Sequence, residues 1–390
     1  MPESIALIEP LMPPVGNRRL EDLASDLIAA AASLNQAVHP FVRQELGKLV
    51  RSMNCYYSNL IEGHKTLPID IEKALNNDFS DDQRTKNLQQ EAIAHIRVQE
   101  KIDLDLALGE ATSIERICWL HREFASHLPS SMLKISNKQE TKTIDLIPGE
   151  YRLGDVVIGK HIPIKAEAIS SFLARFEQGY NPKKFSKINS VIAAAASHHR
   201  LLWIHPFYDG NGRVARLFSH GYLREIGIGN SLWSLARGLS RNIDDYKKYL
   251  ALADSPRWND LDGQGNLTTK GLIEFCEFFL SICLDQIKFM SELIEPNKVL
   301  NRMEIYVEEQ IREGNLLPNS FLLLKQIWLE GEMPKSRVPQ IVGYKERQAR
   351  TLQNKLLESG LITTDTVRSP LKLNFPVAVA ERYFPTLFLN

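Results

Sequence analysis

At 390 residues, with 44% hydrophobic and 24% charged side chains, the chain has the composition of ordinary globular protein and room for two or three domains. Formal net charge is zero, so no global field draws the molecule to nucleic acid or membrane. No apolar run approaches the roughly 18 residues a membrane span needs, and the proline-containing N-terminal arm lacks the basic and apolar regions of a signal peptide; the expectation is a cytoplasmic protein with no membrane partner. Cys55, Cys118, Cys276 and Cys283 show no CxxC pairing and read as free, buried thiols rather than zinc ligands.

In chain order, Leu20, Leu23, Leu27, Ile28 and Ala31 recur at helical spacing within a helical stretch over 18–60 that breaks at His39-Pro40. The pattern continues over 87–108 and 111–126. Between about 144 and 165, short β-branched runs punctuated by Gly and Pro predict a small hairpin. The segment 188–203 is apolar almost all round, as a central buried helix is, and it leads directly to His205. A further helix is predicted from Thr268 to Leu293. The stretch 260–267 looks like a calcium loop, but Gln264 and Gly271 stand where ligands are needed, so an Asp/Gly turn and helix entry is the better reading.

Beyond Glu295, helical patterns at 321–330, 335–342 and 346–358 precede a hairpin pattern at 361–364 and 371–375, with Gly360 as a C-cap. Three helices and a hairpin wing resemble a winged helix. Over 333–376, eight basic residues stand against three acidic ones. A basic third helix can enter a major groove, which makes DNA one partner class for this module; a solvated basic face that contacts protein is the other. The expected fold is mainly α, in three parts: an N-terminal helical region (1–109), a helical core with a hairpin (110–294) and a winged-helix-like domain (295–390). The apolar N-terminal helices suit a homodimer.

The chemistry concentrates at His205-Pro-Phe-Tyr-Asp-Gly-Asn-Gly-Arg-Val-Ala-Arg216. A Gly210-Asn211-Gly212 turn opening into a helix leaves backbone N–H groups unpaired and aims the helix dipole at any anion placed there. Arg213 and Arg216, at i and i+3, leave the helix on one side, and their forks suit phosphate oxygens. Asp209 offers a hard oxygen to Mg²⁺, and His205 can take a proton near neutral pH.

This run fills every specified position of the Fic-family signature His-x-Phe-x-Asp/Glu-Gly-Asn-Gly-Arg-x-x-Arg, and the chain resembles that family over about 110–290, most strongly at 198–216. The resemblance implies a Fic-type helical core that transfers AMP from ATP to a hydroxyl of a target protein, or of itself. It implies His205 as general base and Asp209 as Mg²⁺ ligand. Gly210, Asn211, Gly212, Arg213 and Arg216 would hold the phosphates, with Phe207 as a packing anchor. Val156, Val157, Ile158 and Gly159 resemble the family's target-docking flap, which pairs with an extended segment by strand addition. Tyr246 stands where the family often has a Tyr-Tyr pair near the nucleotide, but Lys247 replaces the second tyrosine, and a half-buried helix residue is the plain alternative. Ser58-Asn-Leu-Ile-Glu62-Gly63 matches the family's inhibitory pattern, which implies that Glu62 pairs with Arg216 and restrains the enzyme. His198 and His199 read as pocket supports.

Two rival functions share these residues. One keeps the fold and changes the transfer: another nucleotide, a phosphate, phosphocholine, or removal of AMP with Glu62 orienting a water. The other is a DNA-binding regulator whose core acts as a sensor.

Overall fold

The computed structural model describes residues 3–136 and 143–388. It divides into two units, and the division does not follow the three-part expectation: the first 109 residues form no unit of their own. One unit takes Met1–Ala31, Asn54–Asn230 and Ser234–Gln286, and the second takes Ala32–Met53, Ser231–Trp233 and Ile287–Asn390.

Helices dominate the first unit. The expected break at His39-Pro40 separates α1 (Arg18–Gln36) from α2 (Pro40–Ile61), whose last turns belong to this unit. There follow α3 (Pro68–Leu75), α4 (Gln83–Asp103) and α5 (Ile114–Ala125), the last two N-capped by Asp82 and Ser113. A two-stranded sheet then pairs β1 (Lys134–Ser136) with β2 (Thr143–Asp145). The remaining elements are α6 (Ile169–Tyr180), α7 (Lys187–Ile204), α8 (Asn211–Glu225), α9 (Leu235–Arg241), α10 (Ile243–Ala253) and α11 (Thr269–Leu293).

The core is built around α7, which starts on the Ser186 cap and is buried on nearly every side, as its all-round apolarity predicts. It packs on α6 and α8, and α8 packs on α4 and α5. Asp262 accepts from Lys270 N and Trp258 N, forming the turn and helix entry expected before α11. No described helix is long and apolar enough to cross a membrane.

The expected 144–165 hairpin takes a different form. Thr143–Asp145 pairs backward with Lys134–Ser136, and within 144–165 the pairing reduces to a bridge in which Ile158 and His161 exchange two backbone hydrogen bonds of 2.9 Å. Gly159, at φ +60°, takes the first of the two turn positions, where a type II′ turn needs a residue without Cβ.

The second unit contains α12 (Pro296–Arg312), α13 (Ser320–Glu330), β3 (Glu332–Met333), α14 (Val338–Val342), α15 (Glu346–Glu358), β4 (Ile362–Thr363), β5 (Leu371–Leu373) and α16 (Val377–Tyr383). Its antiparallel sheet has the order β3-β5-β4. Gly360 lies just past α15 at φ +71°, where a helix stop favours glycine.

Candidate active site

The signature run occupies the connection from α7 to α8. Helix α7 ends on His205 in the left-handed region, at φ 51° and ψ 62°, a conformation that costs a residue with a Cβ about 1–2 kcal/mol. Arg152 helps to hold it there. Its side chain is fully buried, and it donates to the carbonyls of His205 (2.8 Å), Gly154 (3.1 Å) and Ile164. Its own N–H donates to Pro206 O at 2.9 Å. One guanidinium thus ties the 154–164 segment, which bears the Ile158/His161 turn, to the start of the signature loop.

Two further side chains make the same connection. The Tyr208 hydroxyl accepts from Gly154 N (2.8 Å) and Leu153 N (3.2 Å). His161 lies 2.9 Å from Trp203 O through Nε2 and 3.4 Å from Asp254 through Nδ1. Between these anchors, Val157 (68% exposed) and Ile158 (43%) face solvent, Gly159 is exposed and Val156 is half-buried.

Phe207 is fully buried and stacks on His121, with ring centroids 3.9 Å apart and planes 4° from parallel. Gly149 N donates to His121 Nδ1 at 2.8 Å, which leaves Nε2 as the protonated nitrogen. Burial lowers the His121 pKa to about 4, so it acts as a neutral packing and hydrogen-bonding ring. The side chain of Asn211 folds back on the loop: Oδ1 accepts from Phe207 N at 3.0 Å and Nδ2 donates to Phe207 O at 2.8 Å. This residue shapes the turn with the same groups that the family resemblance directs at phosphate.

His205 is partly exposed, and its pKa falls to about 4. Burial is the largest cause, with the neighbouring His161 and Arg152 adding to it. At neutral pH the imidazole is uncharged and able to accept a proton. Asp209 is exposed; its Oδ1 accepts from Gly210 N at 2.7 Å, and the other oxygen has no partner among the described residues.

Gly210, at φ +77°, starts α8, whose first internal bond is Val214 N to Gly210 O. The amides of Asn211, Gly212 and Arg213 are therefore free of intrahelical partners. A carboxylate already lies beside them. A Cβ placed on Gly212 would meet Glu62 Oε1 at 2.3 Å and Arg216 at 3.2 Å. Glu62 pairs with Arg216 at 2.6 Å, and Arg216 donates to Ser58 through Nε to Oγ (2.9 Å) and through its terminal nitrogen to the carbonyl (3.1 Å). Burial opposes ionisation of Glu62, but the charges of Arg216 and Arg213 outweigh it and its pKa is lowered. The turn after α2 thus lays an anion against the helix N-terminus and the second signature arginine.

Arg213 has its own carboxylate, which sequence reasoning missed. Glu91, on α4 and buried, pairs with Arg213 and, at 2.7 Å, with His64 Nδ1. His64 lies 3.0 Å from Arg213, and its pKa is raised, chiefly by the hydrogen bond to Glu91. Beneath Arg216, Tyr246 is buried with its hydroxyl 2.7 Å from His198 Nε2, while His198 Nδ1 lies 2.7 Å from Ser219 Oγ. Tyr246 therefore sits as a buried prop in this structure, not as an open face for a base. His199 meets Asp254 at 3.1 Å, a structural placement like that of His198.

Residues 112–223 match the model of the Fic/DOC family. The chain carries a Fic/DOC domain. The protein adenylyltransferase Fic of Drosophila melanogaster is 28% identical over 213 residues, which are 54% of this chain and 39% of that protein; the Drosophila erecta protein matches to the same extent. The match therefore spans well under half the length of these relatives. Among solved structures, a Fic family protein from Desulfovibrio desulfuricans G20 superimposes with a TM-score of 0.55 at 17% identity, covering 93% of this chain and 98% of that one. Fic-1 from C. elegans (residues 134–508) gives a TM-score of 0.54 at 16% identity, covering 71% and 73%. At such identities the structural likeness establishes the helical Fic fold. The Fic domain includes His121, Arg152 and the whole signature loop, whereas Ser58, Glu62, His64 and Glu91 precede the matched residues.

Proposed function

We propose that the Fic domain transfers AMP from ATP to a hydroxyl side chain of a protein, another chain or its own, and that Glu62 restrains the transfer. The observation that carries this reading is the Glu62 carboxylate, seated on Arg216 beside Gly212 where a phosphate has the same use for the guanidinium and the helix amides. The pair is charge-assisted and partly buried, worth roughly 1.5–3 kcal/mol. Its loss would shift the competent population by about one to two decades.

With the triphosphate lying along Gly210, Gly212, Arg213 and Arg216, the α-phosphorus faces the start of the loop. The target hydroxyl attacks it, a ring nitrogen of His205 takes the hydroxyl proton, the new oxygen–phosphorus bond forms, and the bond to pyrophosphate breaks. The free oxygen of Asp209 fits Mg²⁺, which commonly takes one carboxylate and completes its shell with water and phosphate; when bound, the ion neutralises charge on the leaving pyrophosphate. The 156–159 edge, anchored through Arg152, Tyr208 and His161, is positioned to pair with an extended target segment, so that main-chain bonds place the hydroxyl.

The test is transfer from α-labelled and γ-labelled ATP with Mg²⁺, comparing the parent, Glu62→Gly, and Glu62→Gly/His205→Ala. Label should come from the α position alone, increase at least tenfold on the first change and disappear on the second. Label from the γ position would replace this reading with phosphotransfer, and equal labelling by parent and Glu62→Gly would remove the brake.

A further inference from the structure

We infer that the second unit binds duplex DNA through α15 and the β4–β5 wing, independently of the transferase site. The element order α13, β3, α14, α15, β4, β5 joins α14 to α15 by the three residues Gly343-Tyr344-Lys345. Gly343 stands at φ +69°, as the short turn of a helix-turn-helix requires of its glycine. The turn is stapled: Asn319 donates to Val342 O at 2.9 Å, and the Tyr344 hydroxyl donates to Pro318 O at 3.1 Å.

Helix α15 buries Ala349, Leu352 and Leu356 on one stripe and exposes Arg347, Arg350, Thr351 and Asn354 on the opposite one. Guanidinium, amide and hydroxyl groups at helical spacing are the donors and acceptors that read base edges in a major groove. The wing is held in shape from within: Lys335 donates to Val367 O (2.7 Å) and Thr366 O (3.2 Å), and Thr364 Oγ1 donates to Ser369 O at 2.9 Å. Its tip presents Val367, 89% exposed, next to exposed Arg368. An apolar side chain beside a guanidinium suits a minor-groove contact.

The charge is distributed for this use. Arg337 is occupied by Glu330 and Lys372 by Asp365, each at 2.7 Å, while Lys355 caps the Gly314 carbonyl. Lys345, Arg347, Arg350 and Arg368 have no carboxylate partner among the described residues. These free cations lie on the exposed helix stripe, at its entry and at the wing tip. A protein partner would need apolar or aromatic anchors at the centre of its footprint, and α15 exposes none. Single-stranded nucleic acid would need aromatic stacking faces, and α15 has no aromatic residue. Duplex DNA needs neither.

The experiment is fluorescence anisotropy of the full chain with a labelled mixed-sequence duplex of roughly 20 base pairs, at about 50 and about 200 mM salt. The parent, Arg347→Glu/Arg350→Glu, Arg347→Ala/Arg350→Ala and His205→Ala are compared, with circular dichroism and melting temperature as folding controls. The parent and His205→Ala should bind alike. The alanine pair should lower the slope of log affinity against log salt by about two, so that the parent loses about tenfold more affinity than this variant between the two salts. The glutamate pair should abolish binding at the lower salt. No binding by the parent at about 50 mM salt, equal binding by the parent and both arginine variants, or tighter binding of single-stranded or RNA versions of the same sequence would each overturn the inference.

Discussion

At the scale of single residues, the site depends on which charges are exposed and which are held. His205 is depressed to about 4, chiefly by burial, with the neighbouring His161 and Arg152 adding to the shift, whereas an unperturbed imidazole titrates near 6.5. In the Glu62→Gly protein, the acid limb of the kcat/KM profile should therefore bend near 4 and not near 6.5; a bend at 6.5 would assign the base to another group. The same shift carries a stability cost with a defined sign. The folded state excludes a proton that the unfolded chain takes up, so stability is fully present above about 6.5 and falls as pH drops toward about 4. Glu62 and Glu91 each pair with a signature arginine, but they are not equivalent. Glu62 retains 31% side-chain exposure, while Glu91 retains 3% and faces both Arg213 and His64. Removing the Glu91 charge leaves Arg213 buried without its counter-ion, a loss of about 3 kcal/mol or more. Urea unfolding should place Glu91→Gln well below Glu62→Gly in stability; the reverse order would mean that Glu91 is not the structural anchor.

At the scale of elements, a candidate site can be read from the sequence where its residues are contiguous and cannot where it is assembled from distant parts. His205 through Arg216 were legible because turn, helix start and charges follow one another in twelve residues. Ser58 and Glu62 were legible only through the family pattern. Nothing local distinguishes Arg152 from a solvated arginine: Tyr151-Arg152-Leu153 has no helical or strand period, and only its complete burial under three carbonyls reveals its role. The same holds for His121, whose partners Gly149 and Phe207 lie 28 and 86 residues away along the chain. Strand β3 is two residues long, too short for any period to show. The 144–165 texture did signal extended chain, but long-range ties from Arg152, Tyr208 and His161 hold most of it, where a hairpin would use ladder bonds. That arrangement yields a prediction. Lysine in place of Arg152 keeps the charge but lacks the fork that serves three acceptors. Arg152→Lys, built on Glu62→Gly, should lower kcat/KM roughly 10-fold to 100-fold by loosening both the His205 backbone and the 154–164 segment. Circular dichroism should show the helices intact; undiminished transfer would exclude a positioning role.

At the scale of the molecule, the two units exchange sequence in a way that linear domain boundaries do not capture. The second unit gathers Ala32–Met53 and Ser231–Trp233 with Ile287–Asn390, so the segment that opens α2 belongs with residues far later in the chain. Within that unit, Gly331 lies against His39: a Cβ there would meet the imidazole at 2.0 Å. Lys48 and Glu45 also lie near the Asp365–Lys372 pair, whose own hydrogen bond chiefly lowers the Asp365 pKa and raises that of Lys372; Lys48 adds to the first shift and Glu45 to the second. Val42, Leu46, Leu49 and Val50 are buried in the same segment. Cutting the chain after Gln286, as a boundary drawn near residue 294 invites, would remove Ile287–Asn390, the largest part of the unit to which these four buried side chains belong. Each fully exposed aliphatic side chain forfeits roughly 1.5–3 kcal/mol of burial, so the loss approaches the whole stability of a typical domain. The 1–286 fragment should therefore bind a hydrophobic dye strongly and melt well below the full chain or precipitate. A second version of the 1–286 fragment, with Val42, Leu46, Leu49 and Val50 each replaced by Ser, keeps Met1–Ala31 in the first unit and removes the apolar surface of the segment; it should be the more soluble of the two, and equal behaviour would mean that residues 32–53 bury these side chains without the C-terminal part of their unit.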